Sequence, residues 1–428
     1  MPSALLSLLL ALVLWLAASP ARPAPAMAWE APITLATGGG TKGPWRQNDS
    51  DYDYVDDGTV AFLADGRLAV AWVDQRRKDV LFQTLDADGK PGDAPLNVSR
   101  SGASFSWHPR IASGRGKQEV YLIWQEIIFS GGSHGGEILF AASSDGGRSF
   151  GAPRNLSNSR GGDGKGRVDR DTWSNGSADI AVASDGTIHV AWTEYDGALW
   201  HARSRDGGAG FSPARRIAGD DRLPARAPAL ATGPSDRVYL AWTVGEDLDE
   251  GIRVAQSDDA GASFGRPAVL GRGAGFADAP RIAVDGGGVL HVVFARQSSG
   301  APSTVWHARS ADGVTGFAAP ALIPAASKSV AYPALALDAR GMPLVLAEAM
   351  DVGGRARGLL IASWDGKGYS AFAPVPGSRD AAGVNGSQQG LLGRKLALGP
   401  EGGVVVVNSA LAPVAASRVW MVRGRLRR

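Results

Sequence analysis

Short runs of alternating apolar and polar residues fill most of the chain, and they recur in a fixed order. "GRLAVAW" at 66–72, "EVYLIW" at 119–124, "TIHVAW" at 187–192, "RVYLAW" at 237–242 and "VLHVVF" at 289–294 are each followed by a second run. Those second runs are "VLFQT", "EILFAAS", "ALWHARS", "IRVAQS" and "TVWHARS". Alternation with β-branched and aromatic residues predicts strands. An "hPxhA" segment precedes the first run, as in "HPRIA" 108–112, "APALA" 227–231, "APRIA" 279–283 and "YPALA" 332–336. A polar turn and a fourth run, such as "FGAPRNLS" 150–157, close each unit. Four strands that cannot bury both faces alone, repeated in series, predict blades stacked around an axis.

The turn aspartates set the register. Asp206, Asp259, Asp312 and Asp365 are 53 residues apart, and Asp86 and Asp145 precede them at spacings of 59 and 61. Residues 29–36 read as a fourth strand lacking its first three, and residues 395–426 as three strands lacking a fourth. Joined, they predict an all-β, seven-bladed β-propeller closed by an N-terminal strand in the C-terminal blade. A six-bladed ring is the alternative, because the unit at 55–99 carries only the weak turn "TLDADG". One propeller domain is expected over 29–428, after a signal peptide at 1–28. The run "ALLSLLLALVLWLAA" at 4–18 and the small-residue site "AMA" at 26–28 direct the chain to the periplasm or outside the cell. That run is shorter than the ~20 residues a spanning helix needs, so no membrane span is expected. The chain has no cysteine, which leaves neither disulfide nor thiolate chemistry.

The strings "SSDGGRSF" 143–150 and "SDDAGASF" 257–264 follow the pattern S-x-D-x-G-x-[ST]-F, with "SRDGGAGF" 204–211 and "SADGVTGF" 310–317 close to it. This resembles the Asp-box, or BNR, repeat of sialidases and related propellers, over most of residues 60–376. The sialidase resemblance implies a Tyr nucleophile activated by Glu, an Asp acid/base and three Arg holding a substrate carboxylate. "VDQR", with Asp74 and Arg76, matches the Asp-x-Arg element. The Arg-Ile-Pro element is replaced by "YVDDGTVAF" at 54–62, and the nearest arginine is Arg46.

Residues that obey the repeat carry the fold, so function is sought where the copies disagree. His108 stands where other units have Ala227, Ala279 and Tyr332, and His134 lies in a Gly-rich excursion. Asp74, Glu126 and Glu194 follow the strand tryptophan by two residues in three successive units. The candidate catalytic residues are therefore Asp74, Glu126, Glu194, Tyr332 and His108. The candidate substrate-binding residues are Arg46, Arg76, Asp171, Tyr195 and Arg296. No metal or cofactor is expected. A net charge of +2 without a long basic tract supports no nucleic-acid partner. A charged rim with aromatics suits an acidic glycan or glycoconjugate, bound by a monomer. Three activities fit: an exo-sialidase-like glycoside hydrolase, a polysaccharide lyase, or a non-catalytic carbohydrate- or protein-binding propeller. For a lyase, His108 and a nearby Tyr would be base and acid, with an Arg neutralising the uronate carboxylate. Four N-x-[ST] triplets occur, at Asn97, Asn155, Asn175 and Asn385.

Overall fold

The computed structural model describes residues 27–426, apart from 117, 129–135, 160–165, 168–172, 175–177, 195, 221, 246–248, 274, 327, 351–355, 380–392 and 400. Seven antiparallel sheets surround one axis, so the six-bladed alternative falls. The unit with the weak turn is a complete blade of Val55–Phe62, Leu68–Asp74, Asp79–Leu85 and Leu96–Asn97. Numbered from it, the inner strands of blades 2 to 7 are Ser106–Ser113, Ala178–Val182, Ala225–Thr232, Phe276–Val284, Ser329–Leu337 and Leu396–Leu398. Within the described residues, no helix is long and apolar enough to cross a membrane.

The core is divided among the blade-to-blade contacts. Phe82 and Val80 of blade 1 pack with Trp124 and Leu122 of blade 2, and Phe140 of blade 2 packs with Trp192 of blade 3. The same pattern continues round to Val407 and Met421 of blade 7, which meet Val70 and Trp72 of blade 1. Each inward-turned tryptophan thus fills the gap to the preceding blade.

The recurrent polar turn is a clamp at these gaps. Ser143 Oγ donates to Asp145 Oδ1 at 2.7 Å, Gly147 N donates to Ser143 Oγ at 2.9 Å, and Ser149 N donates to Asp145 Oδ1 at 3.0 Å. Burial pushes the Asp145 carboxyl up, but the bonds from Ser149 and Ser143 outweigh it and hold it at about 2. Gly147 takes φ +84°, and a Cβ there would come within 2.6 Å of the Phe82 ring. Phe150, ending the turn, packs edge-on against that same ring at 4.9 Å. Phe211 repeats the contact on Phe140 at 5.0 Å, and Phe264 on His201 at 5.2 Å.

His201 and His307 therefore stand in the slot of Phe82 and Phe140. Each stacks on a second histidine in the adjacent strand: His189 Nδ1 lies 3.2 Å from His201 Nε2, and His291 Nδ1 lies 3.1 Å from His307 Nε2. Burial, then the neighbouring Arg203, lowers His189 to about 4, while burial and the His189 charge lower His201 to about 3. A histidine held neutral in the fold but free to protonate when unfolded makes stability fall as pH drops from about 6.5 towards its folded value. The His189–His201 pair should cost at least about 3 kcal/mol over that interval. Denaturant midpoints measured from pH 7 to pH 4 should show this fall, and His201→Gln, which keeps a hydrogen-bonding group, should flatten it. An unchanged slope in that variant would remove the pair from the account.

Ring closure uses both ends of the chain. Gly403–Ala412 and Ala416–Leu426 of blade 7 receive Ile33–Gly38 as outer strand, with Ile33 opposite Met421 and Gly38 opposite Ser417. Met27–Trp29 continues the pairing to Leu426. Arg423 Nε and Nη2 both bond Glu30 Oε2, at 2.9 and 2.7 Å. Deleting residues 29–38 should cost about 5 kcal/mol or more by uncovering the edge and apolar face of blade 7. Equilibrium urea unfolding checks this, and a midpoint equal to that of the intact chain would contradict the closure.

Candidate active site

The inner strands of blades 1, 2, 4, 5 and 6 bulge at one equivalent position. Asp57, His108, Ala227, Ala279 and Tyr332 have φ between +48° and +55°, and pairing with the second strand slips there. The next residue is Pro in four blades and Gly58 in blade 1. Proline has no N–H for the ladder, so the strand loses pairing where the backbone turns left-handed. That conformation costs a non-glycine residue of order 1 kcal/mol, and the bulge re-aims its side chain. Ala227 and Ala279 touch, and Tyr332 packs on them across three successive blades. These bulges form a ring at the mouth of the central channel, on the face opposite the Ser-Asp-Gly turns.

His108 occupies this ring at 5 % exposure, and neither ring nitrogen has a hydrogen-bond partner among the described residues. Its backbone N–H is anchored to Asp57 Oδ2 at 2.9 Å. Burial, and then the Arg110 charge, hold the imidazole well below its ordinary value, so it is neutral at pH 7. Tyr54 OH, Asp57 Oδ1, Gln75 Oε1, Trp107 Nε1 and Gln125 Oε1 are also buried without hydrogen-bond partners among the described residues. Burial and the charges of Asp56, Tyr52 and Asp57 push the Tyr54 phenol well above its ordinary value. Buried polar atoms are nearly always bonded, so this concentration on blades 1 and 2 marks a place built for a polar guest.

Two residues further along the inner strands lies a second ring, which includes Arg110, Asp179, Arg281 and Lys395. Burial and the nearby Arg281 charge lower Arg110 to about 9, still charged at pH 7. Arg394 spans the channel, with Nη2 on Asp179 Oδ1 at 2.8 Å and Nη1 on the Ile111 carbonyl at 3.3 Å. Lys395 is paired with buried Glu348. Asp179, Arg281 and Arg394 line a cavity of about 390 Å³ in the channel.

The residues chosen from sequence are distributed differently from one another. His108 and Tyr332 share the mouth ring. Asp74 is bonded by the Arg77 backbone N–H at 3.1 Å, with Arg77 Nε 3.4 Å away, and Arg76 is 77 % exposed beside Asp53 at 3.7 Å. Arg46 lies in the exposed loop ahead of blade 1, its backbone N–H bonded to Ser50 Oγ at 2.7 Å. Arg296 lies over Trp306, 4.8 Å from the ring centre. The rim arginines Arg46, Arg76 and Arg296 thus have separate surroundings. Asp171, Tyr195 and His134 lie outside the described residues, as do residues 1–26. Tyr54, Asp57 and Arg110 escaped the sequence reading, although Arg110 and Asp57 sit where the "hPxhA" copies differ. Among the described residues, no group of three or more His, Cys, Asp or Glu is placed to hold a metal ion.

No protein-family model matches the chain, and no curated protein matches its sequence. Solved structures do. A PL25 ulvan lyase bound to -[GlcA(1-4)Rha3S]- superposes with TM-score 0.58 at 10 % identity, over 91 % of this chain and 95 % of its own. Polysaccharide lyase Uly1 gives 0.54 at 11 % identity, over 93 % and 99 %. The Hadza microbial sialidase Hz136 gives 0.47 at 12 % identity, and this chain spans 63 % of its length. The likeness is one of fold.

Glu126 and Glu194 belong to a repeated inter-blade arrangement. Glu126 Oε2 accepts from Trp124 Nε1 at 3.2 Å, and the Trp192 indole lies near Glu194 without reaching hydrogen-bond geometry. Each faces a carboxylate that begins the third strand of the preceding blade, Asp79 for Glu126 and Glu137 for Glu194. Those inner carboxylates are held by the N-x-S triplets. Asn97 Nδ2 and Ser99 Oγ bond Asp79 at 2.7 and 2.9 Å, and Ser157 Oγ bonds Glu137 Oε2. Asn97 and Asn155 are thereby turn-forming residues, with Oδ1 accepting the backbone N–H of Arg100 and Asn158.

Burial, with the like charges of Asp196 and Glu137, raises the Glu194 carboxyl to about 7. A carboxyl raised in the fold favours the folded state below its unfolded value and loses that contribution as pH rises through about 7. The stability of wild type relative to Glu194→Gln should therefore fall by about 1–2 kcal/mol between pH 4.5 and 8, after allowance for solvent screening. Urea denaturation of both proteins across that range measures it. A constant difference would mean that Glu194 ionises normally.

Proposed function

We propose that the channel mouth binds an acidic glycan and cleaves it by β-elimination, with His108 as the base. The observation that carries this reading is a buried, neutral imidazole whose two nitrogens have no partner among the described residues, on a ring shared with a tyrosine and beside a buried arginine. In such a step His108 removes the proton α to the uronate carboxylate. The C–H electron pair becomes the C4–C5 double bond while the C4–O bond breaks, and the Tyr332 phenol protonates the departing oxygen. Arg110 stabilises the negative charge that builds on the carboxylate, where a desolvated guanidinium is most effective. The full-length likeness to polysaccharide lyases is consistent with this chemistry, and it makes -[GlcA(1-4)Rha3S]- chains the first substrate to try.

The exo-sialidase-like alternative draws on the Ser-Asp-Gly turns and on Asp74 and Arg76. It needs three arginines converging on one carboxylate, and the separate surroundings of Arg46, Arg76 and Arg296 support it less well. Export belongs to the same proposal, since polymeric glycans are met outside the cytoplasm. N-terminal sequencing of the mature protein should begin near Trp29, and a mature chain retaining Met1 in the cytoplasm would count against it.

Turnover is read as the ultraviolet absorbance of the conjugated C4–C5 double bond. His108→Gln should lower kcat by roughly 10²–10⁴-fold, the usual contribution of a positioned base, and Tyr332→Phe should lower it as well, with the fold intact. A protein that forms no unsaturated product, yet releases sugar from a sialoside in a reaction abolished by Asp74→Asn, would restore the hydrolase reading. One that binds acidic glycans without cleaving them would be a binding propeller.

A further inference from the structure

Trp45 has no role in the chemistry above, and packing alone does not account for its placement. Six large apolar side chains are exposed among the described residues, and Trp45, at 39 %, is the aromatic one. It lies in the loop between Thr41–Lys42 and Tyr52–Asp53, a two-stranded hairpin ahead of blade 1. The loop is pinned to the blades. Asn48 Nδ2 bonds the Ile127 carbonyl at 2.8 Å, Asn48 Oδ1 accepts from Phe105 N at 2.9 Å, and Lys78 Nζ bonds the Asn48 carbonyl at 2.6 Å. The indole rests on an aromatic bed, edge-on to Trp107 at 5.9 Å and tilted over Tyr52 and Phe105 at 6.3 and 6.4 Å. Trp107 immediately precedes His108 and packs in one buried cluster with Tyr54, so the exposed indole sits on the aromatic packing that borders the mouth.

We propose that Trp45 is a stacking platform for a sugar ring of the acidic glycan, remote from the bond that reacts. This rests on the reading of the mouth as a glycan site. A pyranose presents a face of C–H bonds to an aromatic plane and keeps its hydroxyls and carboxylate at the edge. The surroundings suit that division, because Arg46 neighbours Trp45 in sequence and the Arg76–Asp53 pair lies where the hairpin meets blade 1. A rigid aromatic on a pinned loop is already ordered before binding, so little conformational freedom is lost on contact. The occupant is the same polymer whose acidic unit enters the mouth, since the cluster under the indole includes Tyr54 and Trp107, which border that site.

Chain length tests the proposal. Calorimetric titrations use -[GlcA(1-4)Rha3S]- oligosaccharides, one disaccharide and one octasaccharide, with the His108→Gln protein so that the chain stays uncut. Adding Trp45→Ala should weaken octasaccharide binding roughly tenfold, the equivalent of one good aromatic contact, and leave the disaccharide unchanged. Trp45→Tyr should restore most of the octasaccharide affinity, which a merely structural disturbance would not allow. Unchanged octasaccharide affinity in Trp45→Ala overturns the platform while leaving the mouth intact. An equal loss for both lengths also overturns it, because the effect then lies in the mouth or the fold. If the parent binds neither length, the mouth reading fails and the platform with it.

Discussion

A four-stranded blade presents an apolar layer on each side, and neither can be left in water. Trp124 needs blade 1 behind it just as Phe140 needs blade 3 ahead, so stability passes from sheet to sheet and ends only when the last meets the first. The strand Ile33–Gly38 makes that meeting covalently continuous with blade 1 and hydrogen-bonded to blade 7. The Ser-Asp-Gly turns tighten each contact from one face, with a glycine against the neighbouring ring and an aromatic beside it. The fold has no single central core, and the axis is left as a channel.

That arrangement frees the inner strands to vary near the mouth. Their bulges repeat because a proline, or Gly58, interrupts pairing at the same register in blades 1, 2, 4, 5 and 6. The side chain on each bulge is not needed to separate two sheets. Alanine serves in blades 4 and 5, while aspartate, histidine and tyrosine appear in blades 1, 2 and 6. Burial acts on the histidine: taken from water beside Arg110, it is kept neutral rather than charged.

The acids follow a different rule. Asp74, Glu126 and Glu194 look like one set in the sequence because they keep the same distance from a tryptophan. Asp74 is instead bonded by Arg77 in its own turn, while Glu126 and Glu194 face the gap to the preceding blade, where each meets a carboxylate already bonded by serine. Burial, with the like charges in these gaps, raises the carboxyl values of both. Two of the four asparagines in N-x-[ST] triplets, Asn97 and Asn155, are in the same turns, forming hydrogen bonds that hold them.

The four-strand unit, its polar turn, the split seventh blade and the structural nature of the turn aspartates were legible from sequence. All are local or periodic: alternation of two predicts strands, and a 53-residue spacing predicts copies. His108 and Tyr332 were also found there, as departures from a repeated proline segment. Trp45 and Tyr54 were not, since a single aromatic in a loop breaks no pattern. Nor could Arg110 be tied to His108, because only the bulge puts both near the axis. Periodicity tells which side of a strand a residue takes. Closing seven sheets into a ring decides whether that side meets a neighbouring blade, the channel or water, because the ring brings together residues that the repeat holds about fifty positions apart.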